Sequence, residues 1–257
     1  MKRTLTVTIL CMAVAVVALA QQKPADQAAK PPAAMPAQAM PTVDQILDKY
    51  VQALGGKAAM EKITSTASKG TFEIAAFGAS GSAEIWTKAP NKTAARLDIP
   101  GFGIVQEGFN GTVAWAQEPQ SGLREKTGSE LASTKLDADF YKPLRLKQLY
   151  PKITVKGKEK LGDKDAYVLE ATPAEGSVET WYFDAASGLL ARIDAERESP
   201  QGKAAVQNYL EDYRDVDGVK EPFTNRIVSP AFTIIIKLDE VKHNVAIDDT
   251  KFNKPAA

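Results

Sequence analysis

From about residue 64 onward, apolar and polar side chains alternate along short segments, as in β-strands that bury one face. Turn residues separate the segments, including Asn-Gly at 110–111 and Asp-Gly at 217–218, which tolerate the positive φ of two-residue hairpin turns. This spacing predicts ten or eleven antiparallel strands in hairpin order, in a sandwich or a barrel. The alternating segments are TFEIAAF, SAEIWTK, AARLDI, TVAWAQ, KITVKG, AYVLEA, ETWYF, LLARID, VQNYLEDY and FTIIIKL.

The stretch TWYFDAASGLLARI, residues 180–193, is typical of a strand, a tight turn and a second strand. Strand side chains point alternately to the two faces of a sheet. We therefore expect Trp181 and Phe183 to share one face and Tyr182 to lie on the other.

Helical periodicity precedes and interrupts the strands. Thr42 and Gln45 match a capping box, and Gly55–Gly56 ends the predicted helix, after which KAAMEKI forms a shorter one. Residues 129–150 are again helical, with Pro143 dividing them into two short helices. The apolar positions of the first helix are Val43, Ile46, Leu47, Tyr50, Val51 and Leu54.

Together these elements predict an α+β fold, mostly antiparallel β, in which helices cover one face of a curved sheet. The other face should be polar, since Lys, Glu, Thr and Gln occupy the alternate positions. Residues 42–254 are numerous enough to bury a core, and we expect them to form a single domain.

The N-terminal segments differ from this domain. Residues 1–20 have a basic start, an apolar run and small residues at Ala18 and Ala20, which predicts a cleaved signal peptide, with a retained membrane anchor as the alternative. Residues 21–41 are rich in Pro, Ala and Gln and predict a disordered or extended tether. Cys11 leaves with the signal, so the apolar core alone must stabilise the mature chain.

Charge narrows the function classes. The chain has 32 basic and 32 acidic residues, and removal of Lys2 and Arg3 with the signal leaves 30 basic residues and a net charge of −2. A near-neutral chain argues against nucleic acid as a partner and against electrostatic attraction to anionic membranes.

The sequence shows no motif for covalent chemistry. The single histidine, His243, has neither a G-x-S-x-G elbow nor a second histidine to act with, and we interpret it as a surface residue. No helix follows GFGIVQEG at 101–108 as it would a dinucleotide loop, and EDYRDVDG at 211–218 fails the calcium template and favours a type I′ turn. We expect no enzyme activity, no metal and no cofactor.

The aromatic residues leave two alternatives open. They fill a core, or some of them line a cavity, because a curved sheet closed by short helices is not always filled by its own side chains. The residues in question are Trp86, Trp115, Trp181, Phe72 and Phe183.

Within residues 79–115, a Gly is followed by the run Trp-x-Lys-x-Pro-Asn, and an Asn-Gly turn then precedes a second Trp. The stretch YFDAASGLLARI adds an aromatic-Asp-x-x-Ser-Gly-Leu hairpin. In these motifs and in its helix–sheet–helix–sheet order, the chain resembles the periplasmic lipoprotein carriers of Gram-negative bacteria, the LolA and LolB family. Ala89 departs from the pattern, since the carriers have Arg at that position. The matching residues are Gly81, Trp86, Lys88, Pro90, Asn91, Asn110–Gly111 and Trp115.

The resemblance implies an incomplete, half-open β-barrel whose concave face is covered by helices. It implies a periplasmic, non-enzymatic carrier or sensor that binds lipoprotein acyl chains or another amphiphile in an apolar cavity. We expect lipid or lipoprotein acyl chains and an envelope protein as partners, no membrane span after signal cleavage, and a monomer. The alternatives are a structural or protein-interaction module of the cell envelope with a filled core, and a hydrolase that uses His243.

We expect the ligand to contact one alternating face of the sheet and the helices opposite it. A register shift of one residue would turn the members of a strand to the other face. The helix residues of this set are Leu144, Leu146 and Leu149, and the strand residues are Phe72, Ile74, Ile85, Leu97, Ile99, Val113, Trp115, Tyr167, Leu169, Ile193, Ile234 and Ile236.

Overall fold

The computed structural model describes residues 39–200 and 202–256. The predicted signal peptide, residues 1–20, and residues 21–38 of the predicted tether lie outside the described residues. Within those ranges the α-helices are α1 (Val43–Ala53), α2 (Lys57–Met60), α3 (Gly128–Asp137) and α4 (Lys142–Leu149). The strands are β1 (Ser65–Ile74), β2 (Ala79–Lys88), β3 (Lys92–Ile99), β4 (Gly103–Phe109), β5 (Ala114–Glu118), β6 (Gly122–Glu125), β7 (Lys152–Leu161), β8 (Lys164–Thr172), β9 (Glu179–Asp184), β10 (Leu190–Ser199), β11 (Gly202–Val216), β12 (Val219–Val228) and β13 (Thr233–His243).

The described strands form one antiparallel sheet, in the order β6-β5-β4-β3-β2-β1-β13-β12-β11-β10-β9-β8-β7. Strands β1–β6 make one meander and β7–β13 a second. The two meet where β1 pairs with β13, from Thr66 opposite His243 to Glu73 opposite Ile235. Because β6 and β7 are the outermost strands, residues 126–151, which contain α3 and α4, connect one edge of the sheet to the other.

This sheet is strongly curved. α3 contacts both β5 and β10, which are second and tenth in the strand order. In a flat sheet, spacings of about 4.8 Å would hold these strands roughly 38 Å apart. α3 has 10 residues, and a helix of that length spans only about 15 Å. A single open sheet bent in this way is consistent with an incomplete barrel and excludes a sandwich of two sheets.

The sequence pattern missed three strands, β4, β6 and β12. β4 contains Gly103 and Gly108, β6 has only 4 residues, and β12 contains Pro222, which cannot donate a hydrogen bond to a neighbouring strand. Locally, each of these segments has the composition of a loop. Pairing with their neighbours makes them strands, and pairing is not encoded in the segment itself.

The predicted helix boundaries follow their local chemistry. Thr42 Oγ1 accepts a hydrogen bond from the Gln45 amide at 3.2 Å, and Gln45 Oε1 accepts one from the Thr42 amide at 2.8 Å, which confirms the capping box. Gly55 and Gly56 end α1 with φ of 120° and 84°, a region that favours glycine. Pro143 lies in the first turn of α4, where its missing N–H costs nothing, so the break precedes it at 138–141.

The main core joins α1 and α4 to strands β7–β11. Tyr50 of α1 meets Phe183 edge-on, with ring centroids 5.1 Å apart, and Trp181 lies beside Phe183 in the same cluster. Tyr182 belongs to a separate cluster with Val168. The predicted alternation in this hairpin is confirmed, and we call the face that holds Trp181 and Phe183 the helix-side face.

The opposite face is partly apolar. Phe252, in the 3₁₀ helix Asp249–Phe252, is 0 % exposed and packs with Ala94 and Trp86. The indole N–H of Trp115 donates a hydrogen bond to the Phe252 carbonyl at 2.9 Å. The expectation of a polar face is therefore wrong here, because the C-terminal segment folds back and covers it.

Candidate functional site

A cavity of about 330 Å³ lies between the helices and the sheet, and we call it the helix–sheet cavity. Residues of α1, α2 and the α3–α4 junction line one side, and residues of β1, β2 and β11–β13 line the other. The lining is mainly apolar and includes Tyr50, Leu54, Met60, Ile85, Leu238 and Val241. The arrangement suits a ligand held by apolar contact.

An irregularity in β11 widens the apolar wall. Leu210 and Tyr213 both line the cavity, although a regular strand would point them to opposite faces. Asp212 lies between them with φ of 53°, a left-handed conformation that interrupts the alternation. The Tyr213 hydroxyl donates to the Leu190 carbonyl at 2.8 Å, and burial raises the pKa of Tyr213 well above its usual value, so this group stays neutral.

The α3–α4 junction brings charged groups to one end of the cavity. Lys142 Nζ donates to Asp137 Oδ1 at 2.8 Å, and Arg197 Nη2 lies 3.5 Å from Asp137 Oδ2. Burial of the Asp137 carboxyl acts to raise its pKa, but Lys142 and Arg197 outweigh burial and hold the pKa below its usual value. Asp137 also lines a second cavity of about 390 Å³, between α3 and strands β3, β4 and β10.

A buried carboxylate lies under this junction. Glu179 is 1 % exposed and accepts hydrogen bonds from the Tyr150 hydroxyl at 2.9 Å and the Trp181 indole at 2.8 Å. Arg197 Nη2 donates to its other oxygen at 3.1 Å. These donors satisfy both oxygens within the protein, which indicates a structural role for Glu179.

His243 is a buried residue, and its interpretation as a surface residue is wrong. Its side chain is 0 % exposed, because β13 pairs with β1 here and places it opposite Thr66 of the cavity wall. Nε2 lies 3.2 Å from Glu221 Oε1, and Nδ1 lies 3.4 Å from Asp217 Oδ2. These contacts join His243 to carboxylates of the β11–β12 hairpin. Within residues 39–200 and 202–256, no cluster of three or more His, Cys, Asp or Glu is arranged to hold a metal ion.

The hairpin that carries Asp217 has the predicted turn. Asp217 and Gly218 have φ of 52° and 82°, as a type I′ turn requires at both central positions. The Asp215 side chain accepts a hydrogen bond from the Gly218 amide at 3.0 Å, so these acidic residues serve the turn.

Most of the predicted ligand-contact residues lie on the helix-side face of the sheet or on α4 opposite it, but they occupy different parts of this region. Ile85 lines the helix–sheet cavity. Six others are in the core that the helices share with the sheet: Leu144, Leu146, Leu149, Tyr167, Leu169 and Ile193. Six more lie on the same face of the sheet as Ser68 and Leu238, which line the cavity. Side chains two residues apart in a strand, and those directly paired across strands, share a face. The six are Phe72, Ile74, Leu97, Ile99, Ile234 and Ile236.

The structure does not bring Val113 and Trp115 to this group. Val113 lies in the turn between β4 and β5. Trp115 faces away from the cavity, because its neighbour Ala114 packs against Ala138 after α3 and adjacent side chains alternate. At β5, the predicted ligand-contact set therefore includes a residue of the opposite face.

Several cavity residues were not foreseen as ligand contacts. Tyr50 and Leu54 belong to the apolar stripe of the first predicted helix, and this stripe was the available signal. Leu210, Val219 and Leu238 come from distant strands and had no local signal that could distinguish them from other alternating apolar residues.

The sequence matches no family model, and it matches no curated protein at a significant level. Solved structures share its fold. A DUF1329 family protein from Desulfovibrio piger is 15% identical, with a TM-score of 0.57 and coverage of 83% of this chain and 98% of that chain. A LolA superfamily protein from Nitrosomonas europaea is 15% identical, with a TM-score of 0.52 and coverage of 84% and 99%. The fold is LolA-like.

In this LolA-like fold, the motif residues hold elements together. Lys88 Nζ donates to the Ile247 carbonyl at 3.0 Å, and the Pro90 carbonyl accepts from the Phe140 amide at 3.0 Å. They connect β2 and its turn to the C-terminal segment and to the α3–α4 junction. None of the described helices combines the length and the apolar character needed to cross a bilayer.

Proposed function

We propose that this chain is a non-enzymatic periplasmic carrier or sensor that holds lipoprotein acyl chains or another amphiphile in the helix–sheet cavity of a half-barrel. The observation that supports this function is the cavity itself, about 330 Å³ of mainly apolar space between the helices and the sheet. Small-molecule sites commonly measure about 300–1,000 Å³ and have mainly apolar linings. A module with a filled core would not leave this space open.

Apolar contact alone can supply the affinity. Each methylene moved from water into an apolar site contributes about 0.8 kcal/mol, so a few buried methylenes suffice without a charge pair. Beyond the cavity, the helix-side face continues through half-buried aliphatic side chains that would extend the contact: Ile74, Leu97, Ile99, Ile234 and Ile236.

Two further features support a periplasmic location and the absence of enzyme activity. The predicted signal peptide directs the chain out of the cytoplasm, and the LolA-like fold is shared with a LolA superfamily protein. Among the described residues, the recorded contacts of His243 are with the carboxylates of Glu221 and Asp217 and none is with a hydroxyl, which does not favour a general base for a hydroxyl nucleophile.

Binding of a fluorescent probe with a long acyl chain and no charged head group tests the proposal. The wild-type protein should bind the probe, and native mass spectrometry of protein purified from the periplasm should show a retained amphiphile. Ile85→Trp fills the cavity from β2 and should weaken probe binding at least tenfold, because the indole occupies the ligand's space.

Ile235→Trp is the matched control. Ile235 lies on β13 next to Ile236, so its side chain points to the opposite face. This variant should bind the probe like the wild type. A wild-type protein that carries no amphiphile and ignores the probe would refute the proposed function.

A further inference from the structure

Two asparagine side chains interrupt the apolar helix-side face. Asn225 lines the helix–sheet cavity, and it lies between Leu210 of β11 and Ile236 of β13. Asn208 of β11 pairs with Ile227 of β12. Asn208 lies two residues from Leu210, which pairs with Asn225, so both amides are on one face. They are diagonal neighbours, with backbone positions about 7–8 Å apart.

The amide oxygens of both residues lack a hydrogen-bond partner. Among the residues that the structure describes, Oδ1 of Asn225 and Oδ1 of Asn208 are buried without a donor. Nearly all buried polar atoms in folded proteins have a partner, and an unpaired buried acceptor is destabilising. A leucine at either position would avoid this cost, since the cross-strand neighbours are aliphatic.

Their surroundings indicate what kind of donor is missing. The neighbouring cross-strand residues are apolar: Leu210, Ile227 and Ile236. The donor that Asn225 lacks therefore has to reach it through the cavity, which Asn225 lines and Asn208 does not. A carboxylate would be a poor partner, since it has no proton to donate and would repel an amide oxygen.

We infer that the ligand is an amphiphile whose polar end carries a hydroxyl or amide donor, and that this end is held by Asn225. The inference rests on the proposed function and names its substrate class. Acyl or alkyl contact supplies the affinity, while the Asn225 oxygen favours head groups that carry a donor over carboxylates and over purely apolar chains, neither of which can donate to it.

Three compounds with the same chain separate these classes. Dodecanol has a donor, dodecyl methyl ether has an acceptor but no donor, and dodecanoate is ionised at neutral pH. Each is used to displace diphenylhexatriene, a neutral apolar fluorophore, from the protein. The wild-type protein should bind dodecanol about tenfold more tightly than the ether, as one net hydrogen bond predicts, and dodecanoate should be no better than the ether.

Asn225→Leu removes the amide and should abolish the preference for dodecanol, while binding of the ether is retained or improved. Retained ether binding shows that the variant is folded. If it loses binding to all three compounds, Asn225→Ala takes its place, and it should likewise abolish the preference. Thr224→Val is the matched control on the same strand, with its side chain on the opposite face, and should keep the preference.

The possible failures are distinguishable. A wild-type protein that binds the alcohol and the ether equally overturns this inference and leaves the proposed function standing, because water then satisfies the Asn225 amide. A preference that survives in both Asn225 variants also overturns it. If the fluorophore and all three compounds fail to bind, both proposals fall.

Discussion

At the residue scale, the burial of Glu179 under the α3–α4 junction imposes a strong constraint. Its carboxylate is 1 % exposed, and Arg197 supplies a direct positive partner at 3.1 Å. Arg197→Met leaves the buried charge without this partner. We expect it to lower the free energy of unfolding by about 3 kcal/mol, measured by urea denaturation.

Lys160→Met is the control for this prediction. Lys160 pairs with Asp165 at 2.8 Å, but the Lys160 side chain is largely exposed and the Asp165 side chain is in contact with solvent, and such surface pairs contribute less than about 1 kcal/mol. Equal losses in the two variants would show that Arg197 does not compensate a buried charge.

Asp249 gives a pH dependence to the C-terminal segment. Hydrogen bonds from Lys88 and Lys92 lower the pKa of Asp249 to about 2. Since this is below the unfolded value of about 3.9, the interaction stabilises the folded segment above about pH 4 and is lost as the pH falls toward 2.

Asp249→Asn should reduce this acid dependence. Lys251, two residues on, has its Nζ 4.2 Å from the Trp86 ring centroid, so tryptophan fluorescence can follow release of the segment. We expect the wild-type fluorescence to change between about pH 4 and 2 and the variant to show a smaller change, since Asp248, whose pKa is lowered by hydrogen bonds from Thr250, is still present. Identical acid titrations would contradict the assignment.

At the element scale, the 3₁₀ helix Asp249–Phe252 acts as an apolar cover for the opposite face. Phe252 is fully buried, and its replacement by alanine leaves a cavity beside Ala94 and Trp115. Phe252→Ala should lower the free energy of unfolding by about 3–5 kcal/mol in chemical denaturation. Phe77→Ala, at a side chain 68 % exposed, should change it by less than about 0.5 kcal/mol.

Elements with strong local signals were predictable from the sequence. The capping box of α1, the type I′ turn at 217–218 and the alternation of Trp181, Tyr182 and Phe183 depend on neighbouring residues alone, and the structure confirms them. β12 was not predictable, because its Pro222 opposes strand formation and only pairing with β11 and β13 overrides it.

The candidate site was less predictable, since it joins residues far apart in the chain. The Leu54 carbonyl accepts a hydrogen bond from the Lys220 amide at 2.8 Å, so the end of α1 meets the β11–β12 hairpin at the cavity wall. For most strands, the residues chosen by alternation lie on the helix-side face. At Trp115 the alternation pattern gave the opposite face. A register shift of one residue turns every side chain of a strand to the other face, and the sequence does not determine the register.

At the scale of the whole molecule, the open sheet has two edges that could pair with another chain. β7 is one of them, and it carries exposed lysines at positions 156, 158 and 160. Charged side chains on an edge strand oppose pairing with a second sheet. Replacing the three lysines with threonine should produce dimers and larger species that the wild-type protein does not form, measured by size-exclusion chromatography with light scattering.

A variant with the same change in charge at other sites is the control. Lys57, Lys62 and Lys135 are exposed and lie outside the strands, and their replacement by threonine should leave the mass unchanged. Association of both variants alike would indicate an effect of net charge and not of the edge.

Residues 126–151 start at one outer strand and end at the other, so this segment connects the two edges of the curved sheet. A ligand that displaces the middle of this segment away from the sheet would draw the two attached edges closer together and bend the sheet further, since both ends of the segment are attached to it. The width of the cavity and the bend of the sheet therefore change together. The hydrogen bonds between β1 and β13, in the middle of the sheet, would change in geometry with this curvature, although they lie far from both edges.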